Sequence, residues 1–330
     1  MIAVAMAVFR PHPHYLLEQL QSLRAQTRED WICVLNWDSP ISEIEGTEAQ
    51  ALLAADRRFI CVQNSDRLGP KKNFESAIRA AASLDVTAIA CADQDDVWLS
   101  GKLEVLMQAL ELHPRLSLVH SDMEAFYSSI PDGLPASTVN SVWGLERRNV
   151  AHSRPEHLLM RNIVTGCSMV MDVNLARRYP EIPDSFPMHD HWYALAATHH
   201  GGVYPVQVML VRYRQHTNNL IGARPPEPLL DRLTKVGVKG LYRNALTAYS
   251  ECRKRTSEAK ASGFPEIPQI KKLFGSEPSI AVAIDFVALG LRIMRDDSFL
   301  AREAFKLAVG CLGSRRRGKR EGGGPEQLAT

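Results

Sequence analysis

No two of the six cysteines lie close together. Cys33, Cys61, Cys91, Cys167, Cys252 and Cys311 show neither a zinc-type spacing nor the density of a disulfide framework. Cys33, Cys61 and Cys91 fall in strand-like apolar runs, so they are expected as small core residues. Long hydrophobic runs are missing as well. The chain has no stretch of the roughly 18 apolar residues that a transmembrane helix needs. Residues 1–8 are apolar but carry no basic flank and no cleavage site, which reads as a first strand rather than a signal peptide. An excess of one charge is also lacking: 39 basic residues face 37 acidic ones. Five of the basic residues and two of the acidic ones lie beyond residue 312, leaving 34 basic against 35 acidic in the rest. A nucleic-acid-binding surface over the body is therefore not expected. A reducing cytoplasm is the expected compartment.

What is present is an ordinary globular composition, 45% hydrophobic and 23% charged over 330 residues. Apolar runs at 2–9, 31–35, 58–63 and 86–92 read as buried strands. Helical spacing joins them at 15–25, 45–55 and 74–82, the last expected to be capped by Asn73. Repeated β-α units predict a parallel sheet with right-handed crossovers. The loops 9–14, 36–40, 64–72 and 93–98 then converge on one edge, where open α/β sheets bind ligands. Beyond residue 100 the rhythm breaks. A helix at 103–112 and a short strand at 117–120 precede a polar stretch, 126–154, long enough to suggest a functional loop. A strand at 163–171 has Gly166 near its start, a position that often marks a close approach. A helix at 193–199 and a strand at 202–212 follow. Past Pro225, Pro226 and Pro228 the pattern is helical at 229–260, 280–294 and 299–312, with Ser279 and Ser298 as expected N-caps.

The pivotal stretch is 87–99. An apolar strand ends in Asp93, Asp95 and Asp96, then Val97, Trp98 and Leu99. Three anions this close repel one another unless a cation is shared, and oxygen ligands suit Mg²⁺ or Mn²⁺. The plainer alternative is a solvated acidic loop that caps the next helix.

The run Asp93-Gln94-Asp95-Asp96-Val97-Trp98-Leu99 with Lys102-Leu103 resembles the donor-binding motif of bacterial family 2 glycosyltransferases, in particular the rhamnosyltransferase-like branch. Leu68-Gly69 with Lys72-Asn73-Phe74, Asn162 with Thr165-Gly166-Cys167, His189-Asp190-His191-Trp192, and Tyr213-Arg214-Gln215-His216 with Asn219 and Gly222 resemble further motifs in order. The resemblance covers roughly 1–224 and implies a GT-A fold, a Rossmann-like, mostly parallel sheet flanked by helices. It implies a catalytic domain at 1–224; the helical pattern that follows predicts a C-terminal extension at 225–312, and composition predicts a basic, Gly-rich disordered tail at 313–330. It also implies inverting transfer of rhamnose or a hexose from a dTDP- or UDP-sugar to a saccharide or lipid-linked saccharide acceptor in cell-surface glycan synthesis. Under that reading Asp95 and His216 are the expected metal ligands, with Mn²⁺ or Mg²⁺ as cofactor. Asp93 is expected near the ribose or a metal-bound water, and Asp96 holds the loop or a metal water. Without that resemblance a lone His is more often structural than a ligand.

Inversion needs a base opposite the leaving group, and Asp190 is the choice; its alternative role is to cap the following helix. Gly166, His189 and Trp192 are expected to shape the acceptor site. Phe9, Arg10, Asn36, Asp38, Lys72 and Asn73 complete the expected donor site. Two departures from the family pattern fall there. Phe9-Arg10 replaces a usual Tyr-Asn after the first strand. Asn36-Trp37-Asp38-Ser39 replaces an adjacent acidic pair followed by Gly-Ser, so the acidic role passes to Asn36 or shifts to Asp38. Lys72 either contacts the diphosphate or sits on a solvated face. The C-terminal helices and basic tail read either as a packed subdomain or as a peripheral contact with the inner face of a membrane. Two other functions compete. A haloacid-dehalogenase-like phosphohydrolase would use the Asp-x-Asp as nucleophile and acid/base. A non-catalytic nucleotide-sugar-binding module would keep the fold alone.

Overall fold

The computed structural model describes residues 1–127, 140–151, 153–216, 222–223, 227 and 229–321. The chain divides into two compact units, 1–153 with 162–225 and 154–161 with 226–330.

In the first unit, runs of small and β-branched residues form four parallel strands separated by helices. These are β1 (Ile2–Val8), α1 (Pro13–Arg24), β2 (Trp31–Trp37), α2 (Glu48–Ala55), β3 (Phe59–Gln63), α3 (Pro70–Ala82) and β4 (Ala88–Ala92). β1 lies between β2 and β4, and β3 lies outside β2, all in parallel register. Every residue of β4 is buried, as expected for a strand with helices on both faces. Cys33 and Cys91 are core residues, but Cys61 is exposed, because β3 closes one edge of the sheet and that residue faces outward. The expected cap at Asn73 is not formed. α3 starts at Pro70, with Gly69 before it at φ 79°, and Asn73 is buried inside its first turns. Pro at the first helical position needs no N–H partner, which favours that earlier start.

The rest of this unit comprises β5 (Val97–Trp98), α4 (Lys102–Leu112), β6 (Leu118–Tyr127), β7 (Asn140–Ser141) and α5 (Val142–Leu145). These are followed, after α6 (Pro155–Met160), by β8 (Met169–Asp172), α7 (Val173–Arg178), α8 (His189–Ala197) and β9 (Val203–Gln215). The sheet order is β3-β2-β1-β4-β8-β6-β9-β5, with β7 on β6. β8 runs antiparallel to β4 and β6, whereas β9 runs parallel to β6. The strand expected from 163 starts only at Met169. Asn162 turns the chain instead, accepting from Val164 N at 3.0 Å and donating to Val164 O at 2.8 Å, and a short 3-10 turn follows at Gly166–Ser168. Part of the polar stretch 126–154 folds as β7 and α5; residues 128–139 and 152 lie outside the described residues.

The second unit holds α6 (Pro155–Met160), α9 (Leu229–Ala261), α10 (Pro268–Ile270), α11 (Ile280–Ile293) and α12 (Ser298–Glu321). Gly237, at φ 64°, interrupts the helical path of α9. Tyr249, Phe274 and Phe286 pack edge to face at the centre of this unit. Cys252 donates to Leu159 O at 3.3 Å and so ties α9 to α6. Ser279 caps α11 by accepting from Val282 N, but α12 is capped by Asp297, which accepts from Leu300 N, rather than by Ser298. α12 runs on through residues 313–321, which composition had suggested as tail; residues 322–330 lie outside the described residues. Among the described residues no helix is long and apolar enough to cross a membrane.

Candidate active site

The C-terminal ends of the four parallel strands open on a cavity of about 560 Å³. Its lining draws on every loop at that edge: Phe9 after β1, Asp38 after β2, Arg67 and Gly69 after β3, and Asp93, Gln94 and Asp95 after β4. The opposite wall comes from Arg148, Thr165, Gly166, His189, Asp190 and Tyr213.

On the first wall, Gln94 locks the loop after β4 to that after β1. Its side chain accepts from Phe9 N at 2.8 Å and donates to Phe9 O at 3.1 Å. Asp38 is a clamp: its carboxylate accepts from Leu68 N, Gly69 N and Asn64 Nδ2 at 2.7–3.0 Å. Asn36, fully buried, donates to Asn64 and Asn73, and Asn73 donates to Val8 O. Asn36 thus supports the loops from beneath and does not line the cavity. Lys72 does not reach it either. Its ammonium lies 3.0 Å from Glu75, a carboxylate that also accepts from Ile182 N. Arg10 sits beside the Phe9 ring at φ 42° and is not part of the lining. The cation on this wall is Arg67, its guanidinium 4.5 Å from the centre of the Phe9 ring. Sequence reasoning missed it; its place just before Leu68-Gly69 was the only available signal.

The acidic loop is fastened from β9. Arg214 N donates to Asp96 at 3.0 Å, and the Arg214 guanidinium donates to Asp95 O at 2.7 Å and pairs with Glu18. Asp96 is fully buried, so its place is beneath the loop rather than in the cavity. His216 Nε2 and Asp95 Oδ2 stand 2.7 Å apart, and the imidazole stacks on Tyr15. Asn219 lies outside the described residues. Burial together with the neighbouring charges of Asp95 and Asp190 pushes the Asp93 carboxyl up. Two groups of atoms could hold a cation. Asp95 with His216 offers a carboxylate and an imidazole, a donor set that fits Mn²⁺, beside the cavity-lining Asp93. The second group is Asp93, Asp96 and the Cys167 thiol, within 4.8 Å of one another. In that group the soft thiol suits a hard oxygen-seeking cation less well than a third carboxylate would, and without a metal burial and the two carboxylates push it well up.

On the opposite wall, α8 begins earlier than the periodicity suggested, at His189. Asp190 is therefore in its first turn. Oδ1 accepts from His191 N at 2.6 Å and Oδ2 from Gly166 N at 3.2 Å. Burial lifts this carboxyl to about 6, while the two N–H donors and the Arg148 charge pull the other way. His189 is buried and its ring stacks on Phe74 at 3.9 Å. Burial holds it neutral, its pKa pushed down to about 3, and neither ring nitrogen has a protein hydrogen-bond partner. Gly166 is required here, since a Cβ would fall 2.8 Å from His189 Cε1 and closer still to Nε2. Trp192 is not on this wall. It is fully buried and packs edge-on against Tyr179 and Phe186, because the helix turns it to the side away from Asp190 and into the core. Arg148 was also missed. It donates to Thr165 Oγ1 at 2.7 Å and Ile163 O at 3.1 Å, and nothing in the polar stretch around it marks it out.

A mixed α/β sheet whose parallel half ends in carboxylates, on a cavity shared with the half-buried Asp190, has the layout of an open ligand-binding α/β fold. The chain belongs to glycosyl transferase family 2, whose sequence model matches residues 3–171. Its sheet and flanking helices are those of the GT-A fold, with a helical C-terminal region. An uncharacterized glycosyltransferase of Methanocaldococcus jannaschii is 26% identical over 121 residues, 37% of this chain and 41% of that protein. An uncharacterized protein of Sinorhizobium fredii is 27% identical over 122 residues, 37% of this chain and 13% of that protein. The matched regions thus span less than half of either curated relative. Among solved structures, S. aureus TarS in complex with UDP-GlcNAc aligns over 96% of this chain and 92% of its own, at 12% identity and a TM-score of 0.48. The Pyrobaculum calidifontis mannosyltransferase in complex with GDP-Man and Mn²⁺ covers 98% and 88%, at 11% identity and a TM-score of 0.48.

Proposed function

We propose that the protein is an inverting glycosyltransferase that moves a sugar from a nucleoside diphosphate to a saccharide hydroxyl, with Asp190 as the base. The observation that carries this reading is the Asp190 carboxyl, lifted to about 6 and facing the Asp93 and Asp95 loop across one cavity. A base near neutral pH is ionised enough to accept a proton and basic enough to take it from an attacking hydroxyl. Asp190 takes the acceptor's proton as its oxygen bonds to the anomeric carbon. The bond from that carbon to the diphosphate oxygen breaks, and the nucleoside diphosphate leaves with the electron pair. Inversion follows because nucleophile and leaving group occupy opposite faces. Asp95 and His216 would hold a divalent cation, Mn²⁺ or Mg²⁺, which supplies positive charge to the departing diphosphate.

Phe9, Asp93 and Arg67 line the donor end, and Gly166 and His189 the acceptor end. The donor is a dTDP- or UDP-sugar, with rhamnose or a hexose as the group moved, in assembly of a surface glycan on the cytoplasmic side of a membrane. The exposed apolar face of α11, formed by Ile280, Ile284, Val287, Leu291 and Met294, supports peripheral contact with that membrane.

Thermal unfolding with UDP, dTDP, GDP or CDP, each with and without Mn²⁺, tests the donor site. A ligand that binds only the folded state raises the melting temperature by mass action. A rise that needs both nucleotide and metal, and that is lost in Asp95→Ala, supports the reading. No rise with any nucleotide overturns it. Turnover of the donor identified in this way, absent in Asp190→Asn, separates the enzyme from a binding module of the same fold.

A further inference from the structure

One buried cation has no part in the reaction described so far. Lys102, the first residue of α4, is fully buried. Its ammonium lies 3.0 Å from the centre of the Trp98 ring and donates to Cys167 O at 2.6 Å. Among the described residues no carboxylate lies within ion-pair distance of it; burial pushes its pKa down to about 7, against the charges of Asp96 and Asp93, which favour the ammonium. Burying an ammonium is unfavourable unless its surroundings compensate for the lost hydration. A leucine or methionine would fill the same space without that cost. The position therefore calls for a specific use of the charge or its donors.

That use lies in what Lys102 holds. Cys167 sits in the Gly166–Ser168 turn, where two other contacts meet. The Gly166 N–H, one residue before the carbonyl that Lys102 grips, donates to Asp190 Oδ2 at 3.2 Å. The bare Cα of Gly166 is the surface against which the His189 ring rests. The Cys167 thiol lies within hydrogen-bonding reach of Asp93 and Asp96. The turn is thus the piece through which the donor loop and the start of α8 touch each other, and Lys102 fixes it from below.

We infer that Lys102 is a positioning residue: by gripping Cys167 O it sets the Gly166 N–H against Asp190 and holds the base in place. This rests on the reading of Asp190 as the base. Lys102 touches neither donor nor acceptor, since it lies outside the cavity lining. Its effect passes through one peptide unit, over a path that two hydrogen bonds define. Arg148, His189, His191 and Asp93 also face or adjoin Asp190, and none of them contacts the Lys102 ammonium at hydrogen-bond distance.

The test is a carboxyl-carbon NMR titration of the full chain labelled at aspartate, with Asp190→Asn used to assign the Asp190 resonance. Lys102→Met keeps the bulk of the stem and removes the donor. The Asp190 midpoint should then rise by about half a unit to one unit, the size expected for losing a hydrogen bond to the ionised form. Lys102→Arg, which keeps a donor and a charge, should restore most of the wild-type value. If Lys102→Met does not give a cooperative melt, Lys102→Leu, which likewise lacks a donor, carries the same expectation. A folded Met or Leu variant with an unmoved midpoint overturns the inference. Failure of the base assignment is read separately: an Asp190→Asn enzyme that still turns over the donor removes the base, whatever the titration shows about the turn.

Discussion

The two halves of the sheet were built by different routes. The β1–β2 and β2–β3 pairs join strands one β-α unit apart, β4 then adds to the free side of β1, and all four run parallel with their loops on one edge. β8, β6, β9 and β5 are tied by long-range contacts, in part antiparallel. The hydrogen bonds from Arg214 to Asp96 and from His216 to Asp95 span 118 and 121 positions. The first half supplies a donor wall whose polar side chains mostly brace one another, as Asn36, Asp38 and Asn73 do. The second half supplies groups that burial has made chemically unusual, Asp190 and His189 among them. Local assembly gives a precise scaffold, while long-range closure creates the low-dielectric pocket in which a carboxyl is lifted toward neutral pH.

Substituting Asp190 by Asn should sharpen this contrast most. We expect turnover to fall by about 100-fold to 10,000-fold, with nucleotide-dependent stabilisation kept. Nucleotide-dependent stabilisation lost together with turnover would break the division between the walls. In the wild-type enzyme kcat/KM should decline as pH drops through about 6, because protonated Asp190 cannot act as a base and burial is what placed its pKa there. A rate profile flat from pH 5 to 8 would count against that assignment.

Gly166→Ala should come next. The added methyl group meets the His189 ring, which Phe74 keeps from retreating, so we expect a loss of about 2 kcal/mol in chemical denaturation and a large fall in activity. Wild-type stability and rate in that variant would mean the turn is not tightly held.

Trp192→Phe separates packing from recognition. The indole is fully buried away from the cavity, so stability should drop by about 1–3 kcal/mol while the acceptor KM stays near the wild-type value. A raised KM in a stably folded variant would return Trp192 to the acceptor wall.

The smallest effect is expected for Lys72→Ala. The ammonium is 43% exposed and bound to Glu75, so melting should shift by no more than about 0.5 kcal/mol, with the donor KM unchanged. A clear rise in the donor KM would give Lys72 the diphosphate contact that its present position does not show.

Much of the first half was legible in the residues. Strand β4 ends in carboxylates because an all-apolar run can only be a central strand, and polar residues must begin where it leaves the core. The parallel order of β1 to β4 follows from short β-α units, which close in one hand only. Asp95 and His216 were read from motifs, and the fold brings them to 2.7 Å of each other. Periodicity could not show which polar side chains face the cavity. Asn36 looks like a ligand for a nucleotide and instead lies beneath the loops, where it donates to Asn73, which does line the cavity. Lys72 and Arg67, five positions apart, differ in whether a carboxylate on the same helix captures the charge. Trp192 follows Asp190 by two residues, which on a helix turns it to another face.

The sequence by itself therefore determined the sheet's parallel half, the edge on which its loops meet and the family to which the chain belongs. Local patterns of apolar spacing and short connections suffice for those. Only the tertiary structure decided that Asp190 is half-buried beside Gly166, that His189 is kept neutral against Phe74, and that Lys102 reaches under the Gly166–Ser168 turn. Those properties arise from desolvation and from contacts between segments some 25 to 120 residues apart, and no window of sequence contains both partners.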